Sequence, residues 1–217
     1  CMSSAVAGYK ATLGADAPPA CYDDLDHAEL VVIAGSNMAW AHPVLYRRLE
    51  DAKARQPALK VVCIDPRRTE TARAADLHLP ILPGTDVALF NAVLHWLLWE
   101  DAVDAAYIDV HTENFGALKS MLRECTPAWA ARICGISEAQ IVAFAQLWRD
   151  SAATLSLYCQ GLNQSSSGTD KNAALINLHL ATGQIGKPGA GPFSLTGQPN
   201  AMGGREVGGL ANLLPGH

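Results

Sequence analysis

The sequence predicts a three-layer α/β/α fold built on a mostly parallel, Rossmann-like sheet, with a long irregular C-terminal tail. Three observations carry that expectation. Short β-branched blocks alternate with helical stretches between residues 29 and 181, the order that right-handed crossovers turn into a parallel sheet with helices on both faces. The blocks are apolar throughout rather than alternating, as strands covered on both faces must be. The last 38 of the 217 residues hold ten of the eighteen glycines and four of the twelve prolines, with no regular apolar period.

The elements follow in order. ELVVIA at 29 to 34 is the first strand, ended by a tight turn at Gly35, Ser36 and Asn37. Pro43 suits the first position of a helix reaching about Arg55, because proline presets the backbone angle and its missing N–H is not needed there. KVVCID at 60 to 65 is the second strand, halted by Pro66; a short helix near 69 to 75 follows, and LHLPIL at 77 to 82 reads as the third strand. Pro83, Gly84 and Thr85 turn the chain into an apolar helix from about 86 to 100, and a more polar helical stretch covers 104 to 125. Thr126 followed by Pro127 opens a helix that Gly135 closes, and Ser137 with Gln140 makes a capping box for 138 to 149. TLSLYC at 154 to 159 is a fourth strand, QGLNQSSSGTD a polar loop, and Ala174, Leu175, Leu178 and Leu180 give helical spacing to 170 to 181.

Composition excludes several functions. Sixteen basic against twenty-one acidic residues leave a formal charge of −5 with no basic run, so neither nucleic acid nor an anionic membrane is an expected partner. The apolar stretch 87 to 99 is interrupted by Asn91 and His95 and is shorter than the roughly 20 residues that cross a bilayer. Cysteines at 1, 21, 63, 125, 134 and 159 form no CxxC pair, which argues against a zinc ribbon or an iron-sulfur site made from neighbours and fits a reducing compartment. A chain starting at Cys1 with no targeting segment reads as an internal piece of a longer protein.

In open parallel sheets ligands lie beyond the carboxyl ends of the strands, so the post-strand loops hold the candidates. The first, Gly35 to His42, lacks GxGxxG and therefore the usual nicotinamide fingerprint. Asp65 ends the second strand, where it either caps the following turn or meets a ribose hydroxyl. Asp86 stands at a helix start, where it either caps the helix or accepts two hydrogen bonds from a guanine edge. Gln160, Asn163 and Gln164 are two-way hydrogen bonders in the fourth loop, equally readable as an ordinary polar turn. His78, His95, His111 and His179 fall in strand or helix patterns and need no special role.

The fragments CMSSAVAG, CYDDLDHAELVVIAGSNMAWAHP, IDPRRTETARAADLHLPILPGTD, GLNQSSSGTDKN and HLATGQIGKPGAGPFSLTGQPNAMGGREVGGLANLLPGH, in this order, resemble the molybdopterin oxidoreductase superfamily, most closely the catalytic subunits of bacterial assimilatory nitrate reductases. The resemblance runs end to end. It implies molybdenum held by the dithiolenes of two molybdopterin guanine dinucleotides and by one cysteine, matched here by Cys1, with Met2 beside the substrate pocket. A soft thiolate suits such a centre. It also implies Gly35, Ser36 and Asn37 near the phosphates, Asp65 and Arg67 at the ribose and phosphates, and Gly84, Thr85 and Asp86 around guanine; His42, before Pro43, is counted with the cofactor-binding candidates, its other reading an ordinary loop histidine. Gln160, Asn163, Gln164, Thr196, Gly197 and Gln198 would lie along the pterin. Arg205 matches an arginine near the metal, and a guanidinium fork suits nitrate, a planar anion.

The sequence departs from the pattern at Gln160, where relatives usually carry Met. The implied 4Fe-4S cluster motif, the domain holding the second dinucleotide and a C-terminal cap are absent from these 217 residues. The expectation is therefore a dinucleotide-binding domain over 1–195 and a glycine-rich pocket segment over 196–217, cut from a cytoplasmic nitrate-reducing enzyme. That piece alone would be inactive, and the remaining domains and an electron-donor protein would be its partners. Formate enzymes of the superfamily typically carry His after the metal-binding residue; Met2 disfavours that alternative. Periplasmic nitrate reduction, or a non-catalytic nucleotide-binding module on the same sheet, are the other readings.

Overall fold

β1 (Leu30–Ala34), β2 (Lys60–Ile64), β3 (Leu77–Leu79), β4 (Thr154–Tyr158) and β5 (Gly191–Ser194) make one sheet in the order β3-β2-β1-β4-β5. The structure, a computed structural model, describes residues 2–197. Every pairing is parallel, and the central strand sets the register: Leu30 lies opposite Lys60 on one side and Thr154 on the other. All five residues of β1 are buried, as its unbroken apolar run requires. Alternate side chains enter two cores: Leu30, Val32 and Ala34 pack with Tyr9, Phe90, Phe144 and Trp148, while Val31 and Ile33 pack with Leu25, Met38, Leu49 and Leu157. Two cores on opposite faces of one sheet are the three layers expected.

The helices are α1 (Ser3–Leu13), α2 (Met38–Ala41), α3 (Pro43–Arg55), α4 (Glu70–Ala74), α5 (Asp86–Trp99), α6 (Ala105–His111), α7 (Phe115–Met121), α8 (Pro127–Cys134), α9 (Glu138–Arg149), α10 (Gln160–Asn163) and α11 (Gly168–Ala181). The local signals placed their ends well. Thr126 Oγ1 accepts from Trp129 N at the start of α8, and Ser137 and Gln140 make both bonds of the capping box at α9. The larger core is roofed by α5, α9 and α11, and α1 presses on α11 so tightly that a Cβ on Gly8 would lie 2.6 Å from Asn172 Cβ.

Four expectations change. The third strand ends at Leu79 rather than 82, because Pro80 has no N–H for the ladder. The stretch 104 to 125 divides into α6, α7 and a 3₁₀ turn at Leu122–Glu124, broken where Asn114 takes a left-handed φ of 58°. The loop after β4 holds α10, and α11 starts at Gly168 rather than 170. The glycine-rich end is not irregular throughout: Gly191–Ser194 pairs with β4 as a fifth strand, anchored by Tyr9, whose hydroxyl donates to Pro192 O at 3.1 Å and accepts from Ser194 N at 2.9 Å. α1, with no side-chain cap, is an element that the pattern reading did not anticipate.

Candidate functional site at the carboxyl edge of the sheet

Strand order reverses between β1 and β4, and the crevice beyond the carboxyl ends of two such strands is where open α/β sheets take ligands. Gly35 ends β1 with φ +56° and its N donates to Ile64 O at 2.9 Å. Its carbonyl accepts from Gly161 N at 2.9 Å, and a Cβ on Gly35 would stand 2.7 Å from Gly161 Cα. Two main chains therefore touch at the switch point, and only glycine fits on both sides. One residue further along the first chain, Ser36 is 3% exposed and its Oγ has no partner; one residue back along the second, Gln160 Oε1 is buried and equally unpartnered among the described residues. Such atoms are uncommon in folded proteins; Thr154 Oγ1, Asn172 Oδ1 and His179 Nδ1 are also unpartnered among the described residues but lie in the interior, whereas these two stand at the ligand-facing edge, where a partner from outside the chain can reach them.

The neighbouring candidates are held in place. Asn37 Oδ1 accepts from Thr71 Oγ1 at 3.0 Å, and Thr71 in turn accepts from Ala39 N, so α4 braces the first loop. His42 Nε2 lies 2.9 Å from Thr196 O; a carbonyl only accepts, so Nε2 carries a proton, while the buried Nδ1 has no partner among the described residues. That contact ties the first post-strand loop to the segment leaving β5. Asp65 is 6% exposed and its Oδ1 accepts from Arg67 N at 2.8 Å, the turn-capping role weighed above, while His78 Nε2 donates to Asp65 O at 2.8 Å. The Arg67 side chain is 76% exposed and only 3.9 Å from Asp65 Oδ1, which leaves its guanidinium free to reach an anion.

On the β3 side Thr85 Oγ1 donates to Leu82 O at 2.7 Å, and Gly84 has open space beside it. Asp86 does not cap α5: Thr85 is the N-cap residue, and Asp86 Oδ2 lies 2.7 Å from Lys171 Nζ, the two side chains being 9% and 3% exposed. Asn163, expected along the pterin, is instead turned into the protein, its Nδ2 donating to Ser194 Oγ and its Oδ1 accepting from Asn172 Nδ2. Gln164 and Gly197 are exposed, and Thr196 is half-buried. Met2, 8% exposed, lines an apolar cavity of about 290 Å³ with Tyr9, Tyr22, Phe193 and Thr196. Cys1, Gln198 and Arg205 lie outside the described residues.

Lys171, Thr71 and Asn172 were missed from sequence. Lys171 carried a signal, since it falls on the same helical stripe as Ala174, Leu175 and Leu178, where a charge must be paired to be buried. Burial pushes the Cys63 thiol up to about 12, and it raises Cys159 as well, so neither is a ready thiolate. Among the described residues no three His, Cys, Asp or Glu side chains converge as metal ligands, and no helix is long and apolar enough to cross a membrane. The histidines outside the loops are accounted for by partners such as Leu122 O for His95 and Ser156 Oγ for His179.

A parallel 3-2-1-4-5 sheet with two glycine main chains in contact at its switch point defines a doubly wound, Rossmann-like α/β domain. The chain belongs to the molybdopterin oxidoreductase family, whose sequence profile matches residues 1–215. It is 48% identical over 217 residues to a nitrate reductase of Synechocystis sp., covering all of this chain and 30% of that protein. It is 49% identical over 217 residues to a nitrate reductase of Klebsiella oxytoca, covering 24% of it. It is 42% identical over 226 residues to a periplasmic nitrate reductase of Desulfovibrio desulfuricans, covering 99% of this chain and 30% of that protein. The chain thus spans about a quarter to a third of the curated relatives it matches. Among solved structures, acetylene hydratase from Pelobacter acetylenicus superposes with a TM-score of 0.76 at 23% identity, over 88% of this chain and 25% of that one, a likeness of fold.

Proposed function

We propose that this chain is the cofactor-cradling α/β domain of a cytoplasmic, assimilatory nitrate reductase, which reduces nitrate to nitrite at a molybdenum bis(molybdopterin guanine dinucleotide) centre. The observation that carries the proposal is the pair of unpartnered buried atoms, Ser36 Oγ and Gln160 Oε1, each one residue from a glycine of the close pair at the switch point. They are a donor and an acceptor set beside a main-chain cradle that a Cβ would fill, which suits a polar dinucleotide laid across the sheet edge. Higher identity to nitrate reductases without a periplasmic designation supports the assimilatory reading, and the exposed free Cys21 suits a reducing compartment.

In this reading Ser36 donates to, and Gln160 accepts from, one dinucleotide. His42 Nδ1 takes a further partner, Arg67 neutralises phosphate, and Gly84, Thr85 and Asp86 surround guanine. Gln164, Thr196, Gly197 and Gln198 run along the pterin, with Asn163 supporting β5 from beneath. Cys1 supplies the thiolate for the metal, Met2 an apolar wall, and Arg205 orients nitrate. When bound, the molybdenum centre supplies the oxygen-atom transfer, with electrons arriving through a 4Fe-4S cluster and a donor protein outside this chain. The protein's own share is positioning and electrostatics.

The full-length enzyme is expected to contain molybdenum by elemental analysis and to release guanosine monophosphate on acid hydrolysis, and Cys1→Ser is expected to abolish nitrate turnover with the fold retained. A parent without molybdenum, or one whose Cys1→Ser variant keeps full turnover, would end the proposal.

A further inference from the structure

Among the described residues, Asp86 and Lys171 are the ion pair that burial isolates most fully: both side chains are under 10% exposed, whereas every other pair keeps at least one member 31% or more exposed. Each stands at the head of an apolar stripe. Asp86 precedes Leu89, Phe90, Val93 and Leu97 on α5, and Lys171 precedes Ala174, Leu175 and Leu178 on α11. Two apolar residues there would continue both stripes, and such replacements for a buried pair are often neutral or stabilising, so helix packing alone does not explain the charges. Their position does bear on ligand binding. α5 starts directly after the β3 loop and α11 shortly after the β4 loop, so the pair joins two segments of the ligand-facing edge.

We infer that Lys171 is a positioning residue for guanine recognition: its ammonium, 2.7 Å from Asp86 Oδ2, holds the carboxylate in the one orientation that lets it accept the two N–H donors of a guanine edge. This rests on the reading that Asp86 meets guanine, and it adds the group that sets the direction of that contact. A carboxylate at N1 of a helix, freed from Lys171, turns toward the orphan N–H groups of the first turn and ceases to face the ligand. Adenine presents one donor and one acceptor where guanine presents two donors, so a correctly aimed carboxylate discriminates between them and a misdirected one does not.

The test is titration of the 217-residue chain with guanosine diphosphate and adenosine diphosphate as probes, followed by calorimetry. The unaltered chain is expected to prefer the guanine nucleotide by at least about tenfold, the discrimination of one or two charge-assisted hydrogen bonds. Lys171→Met brings the ratio to within about threefold of unity, and Lys171→Arg restores most of it. A purely structural role would lower the melting temperature and leave the ratio among folded molecules unchanged, which overturns the inference. Should Lys171→Met not fold, Lys171→Leu, which likewise has no donor for Asp86, gives the same comparison; a ratio equal to that of the unaltered chain refutes the inference. Asp86→Asn separates the two levels. Loss of preference in Asp86→Asn but not in the Lys171 variants refutes Lys171 alone, while an unaltered chain with no guanine preference overturns the underlying reading as well.

Discussion

Replacing Gly35 with alanine tests whether the switch-point crevice is built on main-chain contact. Two separable penalties arise. Gly35 has φ +56°, and a non-glycine residue held there costs roughly 1–2 kcal/mol. The added Cβ would also lie 2.7 Å from Gly161 Cα and 2.8 Å from Leu162 N, backbone atoms that cannot rotate away, and overpacking of that sort costs about 1–3 kcal/mol. Gly35→Ala is therefore expected to destabilise by about 2–5 kcal/mol. Two controls divide the sum. Gly14 has φ +80° with nothing within 4 Å of its Cβ position, so Gly14→Ala reports the conformational penalty alone. Gly161→Ala meets Gly35 Cα at 2.5 Å without a positive φ and reports the steric part, less an offset of up to about 1 kcal/mol from better helix propensity. Urea unfolding followed by tryptophan fluorescence measures all three. Gly35→Ala no more destabilising than Gly14→Ala would refute the close contact, and with it the physical basis of the cradle.

Two further outcomes are expected. His179 is fully buried, and burial lowers it from 6.5 to about 3, so it folds neutral while the unfolded chain binds a proton below 6.5; its contribution is intact above that pH and is lost as pH falls toward 3. Between pH 6 and 4.5 that amounts to roughly 2 kcal/mol, in a window above that of carboxylates such as Asp26, which the Arg48 guanidinium holds below the usual range; His179→Gln should flatten the stability slope there, and an unchanged slope refutes the assignment. Tyr9→Phe removes the hydroxyl that bridges Pro192 O and Ser194 N under 2% exposure and should cost about 1–3 kcal/mol in urea unfolding while accelerating amide exchange at Ser194. Exchange at Ser194 as slow as in the unaltered chain would show that strand pairing alone holds β5.

What was legible in the sequence follows the range of the interaction that determines it. Pro43, Thr126 with Pro127, and Ser137 with Gln140 act within one helical turn, and the helices they start are where they were placed. β1 was legible because a short β-branched apolar run ended by turn residues is the mark of a strand covered on both faces. β5 was not, since Gly191 and Pro192 are poor strand formers and Phe193 alone favours a strand; parallel pairing with β4 and the Tyr9 hydroxyl, 183 and 185 residues away in sequence from its two partners, make the strand. The same holds in the site. Turn residues such as Gly35, Ser36 and Asp65 could be located because they follow strands, whereas the partner that each side chain finds comes from another loop. Asn163 turned inward because Asn172 and Ser194 meet it there, and Asp86 found Lys171, an encounter that only the packing of α5 on α11 brings about.

The unsatisfied atoms at the carboxyl edge link this chain's stability to its ligand. Ser36 Oγ, Gln160 Oε1 and His42 Nδ1 are each buried without a partner among the described residues, and such a group costs about 1–3 kcal/mol until it finds one. Three of them at the same sheet edge together cost about 3–9 kcal/mol, comparable in size with the whole net stability of many folded domains. Hydrophobic packing on both faces of β1 must therefore carry the fold, while the crevice is held in a conformation the loops would not adopt for their own sake. A ligand that supplies the missing partners removes the penalty at the moment of binding, and its affinity includes that release. Rigid strands, glycine main chains in contact and the Asp86–Lys171 pair keep the loops from collapsing onto their own polar atoms first, which would satisfy the groups and close the site.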